Sequence, residues 1–271
     1  MPVTGSGVVR AWQRRDRPRQ LAIWAGWLAG TLVFAQSLWF ISGQTIWEFA
    51  LDAHTQAWDL ATRMVPPRWS YMDRLWAPLW DTLNIATLGT LLGTLIAFPV
   101  AFLAARNTTP SRALVRPLAL LIIVSSRSIN SLIWALLLVT VVGPGVLAGI
   151  VAIALRSIGF VGKLLYEAIE EVDPVQVEAI VATGASRPQQ LAYGVLPQVL
   201  PAFAGITVYR WDINIRESTV LGLVGAGGIG LQLNASVATL AWPQVTVIFA
   251  AIFVTVVISE WLSARVRRAI T

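Results

Sequence analysis

The chain has 271 residues, 56% hydrophobic and only 13% charged, with a mean hydropathy of +0.68. Soluble domains carry roughly 25% charged residues, so this composition describes a polytopic membrane protein with room for about six spans of roughly 20 residues. There is no cysteine, which excludes disulfides, thiolate metal sites and thiol nucleophiles. The net charge of +6 comes from arginines gathered at the ends of apolar runs rather than from a nucleic-acid-binding face.

Residues 1–20 form a basic segment, with Arg10, Arg14, Arg15, Arg17 and Arg19 opposed only by Asp16. The apolar run 21–41 follows. A basic start before an apolar run also describes a cleaved signal, and Phe34-Ala35-Gln36 is a small-residue site of the required kind. The run is longer than a signal core, so it reads as an uncleaved first span with the basic end in the cytosol. Residues 42–81 are mixed, rich in tryptophan, and turn at Pro66-Pro67; acids outnumber Arg63, Arg68 and Arg74. That pattern predicts an extracytoplasmic or interfacial helical segment. His54, the single histidine, lies here without ligand-type companions and reads as a surface residue.

The core, 82–262, reads as five further spans. The second, 82–104, carries Gly89, Gly93 and Ala97 at four-residue spacing, a small-residue stripe that permits close helix packing. A basic loop with Arg106, Arg112 and Arg116 leads to the third span, 117–142. Gly143-Pro144-Gly145 turns the chain into a shorter fourth span, 146–160. A loop at 162–197 precedes the fifth span, 198–222. A glycine-rich turn precedes the sixth, 243–262, and 263–271 is a basic tail with Arg265, Arg267 and Arg268. Lys and Arg concentrate on one side of this layout, against only Arg63, Arg68 and Arg74 on the other, which predicts both termini and the 162–197 loop in the cytosol.

Within that loop, Asp173 is placed to cap a helix with Pro174 at its first position and Gln176 as capping partner. Gly184 supplies the left-handed residue that ends it. Ser186 with Gln189 predicts a capping box for a second short helix, and Pro197 closes the unit. The pattern Glu178-Ala179, Gly184-Ala185-Ser186-Arg187 and Leu196-Pro197 resembles the EAA loop of ABC-importer permeases. The resemblance implies a coupling helix that docks in a groove of an ATP-hydrolysing partner. Ile180 and Gly194 depart from the family pattern, where alanine and isoleucine are usual.

Residues 209–230 hold the second informative stretch. Gly225-x-Gly227-x-x-Gly230 matches a dinucleotide fingerprint formally, but that motif requires a preceding strand and an acid about 20 residues on. A membrane span precedes it here, and the next acid is Glu260. The glycines Gly225, Gly227, Gly228 and Gly230 read instead as broken or re-entrant backbone at the mouth of a polar cavity. Asp212 and Arg216, four apart, share a helix face and can pair. Arg210 has Asn214 on its face and no acid at helical spacing. Arg127, mid-way along the third span, has none either, whereas Arg156 is expected to snorkel from the inner end of the fourth. Unpaired intramembrane arginines mark a path for an anion, because guanidinium matches phosphoryl oxygens bidentately.

The run from Arg210-Trp211-Asp212 through Asn214, Arg216 and Ser218-Thr219-Val220-Leu221-Gly222 to Gly230 resembles the permease of phosphonate ABC importers, over about 120–271. Gly162-Lys163-Leu164 and Glu167-Ala168-Ile169-Glu170 fit the same group. Ile129 to Leu132 lacks the proline and glutamate associated with it, so phosphate, phosphite and phosphonates all stay candidates. The resemblance implies an all-α type I importer permease: a homodimer in the lipid bilayer, two ATP-binding subunits and an extracytoplasmic binding protein. No phosphate-binding loop is present, so ATP and Mg are expected on the partner, with no cofactor and no catalysis in this chain. A secondary transporter using Asp212 and Glu217 as coupling-ion acids is the alternative; it gives the capped loop no role.

Overall fold

The computed structural model describes residues 17–270, with no side-chain description at 270. Of the basic N-terminal segment, Arg10, Arg14 and Arg15 lie outside the described residues, as does Thr271 of the tail. The described chain is helical, with no strand. It divides into two units, Met1–Leu60 and Ala61–Thr271.

In the first unit, α1 (Arg17–Gln44) is a 28-residue apolar helix with no buried residue. At 1.5 Å per residue it is about 42 Å long, enough to cross a hydrocarbon core of roughly 30 Å. Two short helices follow, α2 (Trp47–Leu51) and α3 (Ala53–Arg63), also without buried residues. The 42–81 segment, expected to hold an interfacial helix, thus carries these two helices, a 3-10 helix at Trp69–Arg74 and the start of the long helix that begins at Trp76. His54 is exposed, its Nδ1 3.0 Å from the Leu51 carbonyl.

The second unit holds α4 (Trp76–Ala104), α5 (Val115–Ser128), α6 (Ser131–Val142), α7 (Val146–Glu170), α8 (Pro174–Ala182), α9 (Arg187–Gln189), α10 (Leu196–Leu221), α11 (Ile229–Ala238) and α12 (Trp242–Ile270). Five helical stretches among the described residues are long and apolar enough to span, or six if the bent pair α5–α6 is one span. α4 lies directly on α7. A Cβ on Gly93 would stand 2.6 Å from the Ser157 Cβ, and one on Gly89 2.7 Å from Ile153. The small-residue stripe of the second span, Ala97 included, is buried as its spacing predicts. Apolar clusters fill both ends: Leu75, Leu79, Ile229 and Ile248 at one, Leu165, Ile169, Val195 and Val199 at the other.

Four boundaries differ from expectation. The third span is broken: α5 and α6 meet at 88°. Asn130 takes an extended conformation there and its Oδ1 accepts the Leu132 N–H at 3.1 Å, capping α6. A capping asparagine in the polar stretch Ser125–Ser131 breaks the span there. The fourth span does not end at 160; α7 continues to Glu170, so Arg156 sits mid-helix and does not snorkel from an end. Pro197 does not close the loop unit either. Arg187–Val224 is a helical stretch of 38 residues, about 57 Å long, in which Gln190–Val195 widens to a π-helix just before Pro197. That widened turn accommodates a proline that has no N–H to donate. Finally, the basic tail is the last part of α12, where the Arg265 guanidinium lies 4.6 Å over the Trp261 ring.

Candidate functional site

Two sets of residues carry the chemistry, one inside the bundle and one on an exposed loop. The inner set lies where α10 passes between α4, α7 and α12. Burial of unpaired charge is costly, so buried charges are paired or line an aqueous path. Arg210 is the largest fully buried side chain, 1% exposed. Its Nε donates to Ser157 Oγ at 3.1 Å, and its two terminal nitrogens each lie 3.4 Å from one Glu217 oxygen. The guanidinium also stands 5.0 Å over the Phe160 ring. The expectation that Arg210 lacks an acid is therefore corrected: Glu217 is seven residues on, two helical turns, and a long side chain reaches back over that distance.

Glu217 is shared. Arg156 Nε approaches its Oε1 at 3.7 Å, so two guanidinium groups flank one carboxylate. The Asp212–Arg216 pair forms as its spacing predicts, at 2.5 Å, and Asp212 Oδ1 also accepts the Ser259 hydroxyl of α12 at 3.0 Å. Arg216 is otherwise half exposed. Asn214 is fully buried; its amide nitrogen donates to Thr90 Oγ1 at 2.7 Å and Ser157 Oγ at 3.1 Å, and its Oδ1 has no partner. Trp211 Nε1 donates to Thr87 Oγ1 at 3.0 Å. With Asp212 and Glu217 both held by arginines, neither stands free as a coupling-ion ligand, and no cluster of acids and histidines suited to a metal ion exists among the described residues.

Arg127 sits in the last turn of α5 just before the Asn130 break, exposed in the single chain. No acid pairs with it among the described residues. Its neighbour Ser126 donates to the Leu155 carbonyl and accepts the Gly159 N–H at 2.7 Å, entering the α7 ladder between two groups that would otherwise bond each other. This insertion pins the end of α5 to α7, and an added Cβ on Gly159 would stand 2.6 Å from the Arg127 Cγ. Arg127 thus packs against α7 at Gly159, three residues along the helix from Arg156.

The glycine turn is broken backbone, as expected, with Gly225, Gly227 and Gly228 at positive φ. It is filled rather than open. Thr82 Oγ1 accepts the Ile229 N–H at 2.8 Å, the Gly145 N–H donates to the Gly225 carbonyl at 3.0 Å, and Gly230 packs against the Thr219 carbonyl. These four glycines lie in the packing of α4, α7, α10 and α11.

The exposed set is the 171–197 loop. Asp173 caps α8, accepting the Val175 N–H at 2.9 Å. The Asp173 N–H expected to meet Gln176 instead meets Gln198 Oε1 at 3.0 Å, while Gln198 Nε2 donates to the Gly194 carbonyl at 2.7 Å. Gln198, absent from the expected site, ties the start of α8 to α10. Gly184 ends the turn at φ 78°, where a side chain would be strained. The Ser186 N–H donates to Gln189 Oε1 at 2.8 Å, in the expected capping box. α8 rests on the π segment: a Cβ on Gly194 would meet Val177 Cα at 3.4 Å, an ordinary contact distance with no room for a larger side chain. Glu178, Ala179, Val175 and Val181 face outward, Arg187 is exposed, Ala185 and Leu196 are half-buried, and Pro197 is exposed. A separate bond set anchors the neighbouring loop, with the Arg106 N–H on Glu170 at 2.9 Å and Arg116 at 3.5 Å.

Comparisons with known proteins place the chain in a family. Residues 89–270 match the family described as binding-protein-dependent transport system inner membrane component. The phosphite transport system permease protein PtxC of Stutzerimonas stutzeri is 42% identical over 209 residues, covering 77% of this chain and 76% of that protein. The phosphate-import permease protein PhnE of Mycolicibacterium smegmatis is 43% identical over 209 residues, covering 77% of this chain and 39% of that protein. Among solved structures, an inward-facing MetNI methionine ABC transporter matches with a TM-score of 0.64 at 23% identity, over 75% of this chain and 99% of that one, which establishes a shared fold.

Proposed function

The chain belongs to the binding-protein-dependent transport system inner membrane component family, and from that premise we propose that it is the permease of an ATP-binding-cassette importer for phosphate, phosphite or phosphonate oxyanions. It is a multi-pass inner-membrane transport subunit. The observation that carries the substrate class is the charge balance around α10: Arg156, Arg210 and Arg216 share only two acids, Asp212 and Glu217, and Arg127 packs against Gly159 of α7 with no acid paired to it among the described residues. The positive excess suits a small, doubly charged oxyanion, and the guanidinium fork matches its oxygens. Relatives named for phosphite and phosphate transport support the same class.

Coupling runs through the exposed loop. α8 offers Glu178 and Ala179 to the groove of an ATP-binding partner. Gly184, Ala185, Ser186 and Arg187 set its angle, and the continuous helix through Leu196 and Pro197 carries its movement to Arg210. The assembly has two copies of this chain, two ATPase subunits holding ATP and Mg, and an extracytoplasmic binding protein. Both termini lie in the cytosol. Contacts with the oxyanion along the path are transient, since tight capture would obstruct release. The test is ATPase activity of the reconstituted complex with its binding protein, titrated with phosphate, phosphite and methylphosphonate. Stimulation by one of them is the expected result; no stimulation by any, in a complex that assembles and binds ATP, overturns the substrate class.

A further inference from the structure

The two carboxylates of the cluster are not held alike. Asp212 is bound at 2.5 Å by Arg216 and at 3.0 Å by Ser259, short contacts on a buried residue. Glu217 meets Arg210 only at 3.4 Å and Arg156 at 3.7 Å, against about 2.7–2.9 Å for a well-formed charge-assisted bond. The two also differ in access. Arg210 is 1% exposed, whereas Glu217 and Arg156 are 19% and 29% exposed in their side chains. Glu217 therefore stands between the Arg210 fork and the accessible edge of the cluster.

Arg210 itself is fixed independently of Glu217. Ser157 holds its Nε and Phe160 lies under its face, so the two terminal nitrogens stay aimed at the same place whatever occupies it. Two guanidinium groups on one carboxylate leave a positive charge uncompensated. Exchanging that carboxylate for a doubly ionised phosphoryl group would neutralise it and keep the bidentate geometry.

We propose that Glu217 is an internal counter-anion: it occupies the oxyanion's place on Arg210 and Arg156 in the resting permease and is displaced as substrate passes. The proposal rests on the reading of the chain as an oxyanion permease. It explains how a buried arginine fork stays neutralised between transport cycles, since an unpaired charge at that depth is costly. It also makes the site weak by construction, because every incoming anion competes with a tethered carboxylate.

The experiment uses the permease–ATPase complex in lipid nanodiscs without binding protein, and measures binding of radiolabelled phosphate and phosphite at equilibrium. Glu217→Gln removes the competing charge but keeps the shape, and is expected to bind at least roughly tenfold tighter than wild type, the scale of one charged contact. Adding Arg210→Lys to that variant is expected to abolish the gain. Equal or weaker binding by Glu217→Gln overturns the proposal. If that variant does not assemble, Glu217→Asp, one methylene shorter and still charged, is expected to bind more tightly than wild type because it no longer reaches the fork; unchanged binding then overturns it. The wild-type complex is assayed in parallel for ATPase stimulation by loaded binding protein. No stimulation with any oxyanion defeats the oxyanion reading on which the proposal rests, whereas stimulation together with an unchanged Glu217→Gln defeats only the role of Glu217.

Discussion

Arg210 and Glu217 stand two turns apart on one helix, each terminal guanidinium nitrogen 3.4 Å from one carboxylate oxygen. This intrahelical pair converts a charged stretch of sequence into a neutralised but displaceable anion site. Arg210→Lys keeps the charge and loses the planar fork. Uptake of the oxyanion into vesicles should fall at least roughly tenfold, the loss of one charged hydrogen bond, while the complex assembles and hydrolyses ATP at its basal rate. Uptake at the wild-type level would remove Arg210 from the pathway.

Asp212 plays a structural part, held by Arg216 and Ser259 together. Asp212→Ala should destabilise the detergent-solubilised permease by about 1–3 kcal/mol, the cost of leaving its partners unsatisfied. Adding Arg216→Ala should recover part of that loss. Thermal unfolding of the single and double variants checks it, and additive losses would contradict the pairing.

Gly159 is where α5 meets α7, and its missing side chain leaves room for Arg127 and the Ile123 carbonyl, each 2.6 Å from an added Cβ. Gly159→Ala should cost about 1–3 kcal/mol through overpacking, and it should lower uptake by moving Arg127. Wild-type stability and uptake would show that the contact is soft.

Gly194 faces Val177 of α8, and a Cβ there would already be in contact at 3.4 Å, so a long side chain has no room. Gly194→Ile should lift the loop helix and reduce co-purification of the ATPase subunit, with the permease fold intact by circular dichroism. Gln198→Ala, which frees the Asp173 N–H and the Gly194 carbonyl, should keep the ATPase bound but weaken the dependence of its activity on loaded binding protein.

Much of the fold was legible because hydropathy and caps are local. Span centres, the small-residue stripe, the Asp173 and Ser186 caps and the left-handed Gly184 all follow from spacings of a few residues. What escaped was non-local or overrode a local rule. The break at Asn130 falls in the polar stretch 125–131, which reads as part of one span because apolar runs flank it on both sides. The π segment absorbs Pro197, which by itself reads as a terminator. For the site, the Asp212–Arg216 pair was visible at four-residue spacing. Glu217 escaped because a pairing rule limited to three and four residues misses a side chain reaching back two turns. Ser157, Phe160 and Arg156 come from α7, fifty or more residues earlier in the chain, and Gln198 acts through the backbone of another helix. No local pattern marks such partners.

The most direct measurement is uptake of radiolabelled phosphate, phosphite and methylphosphonate into proteoliposomes containing the complete complex, with ATP supplied on the side of the 171–197 loop. The account predicts accumulation of one or more of these anions that needs both ATP and binding protein, survives an uncoupler, and fails in Arg210→Lys. A complex that hydrolyses ATP yet accumulates none of them, or accumulates them equally in Arg210→Lys, would contradict it.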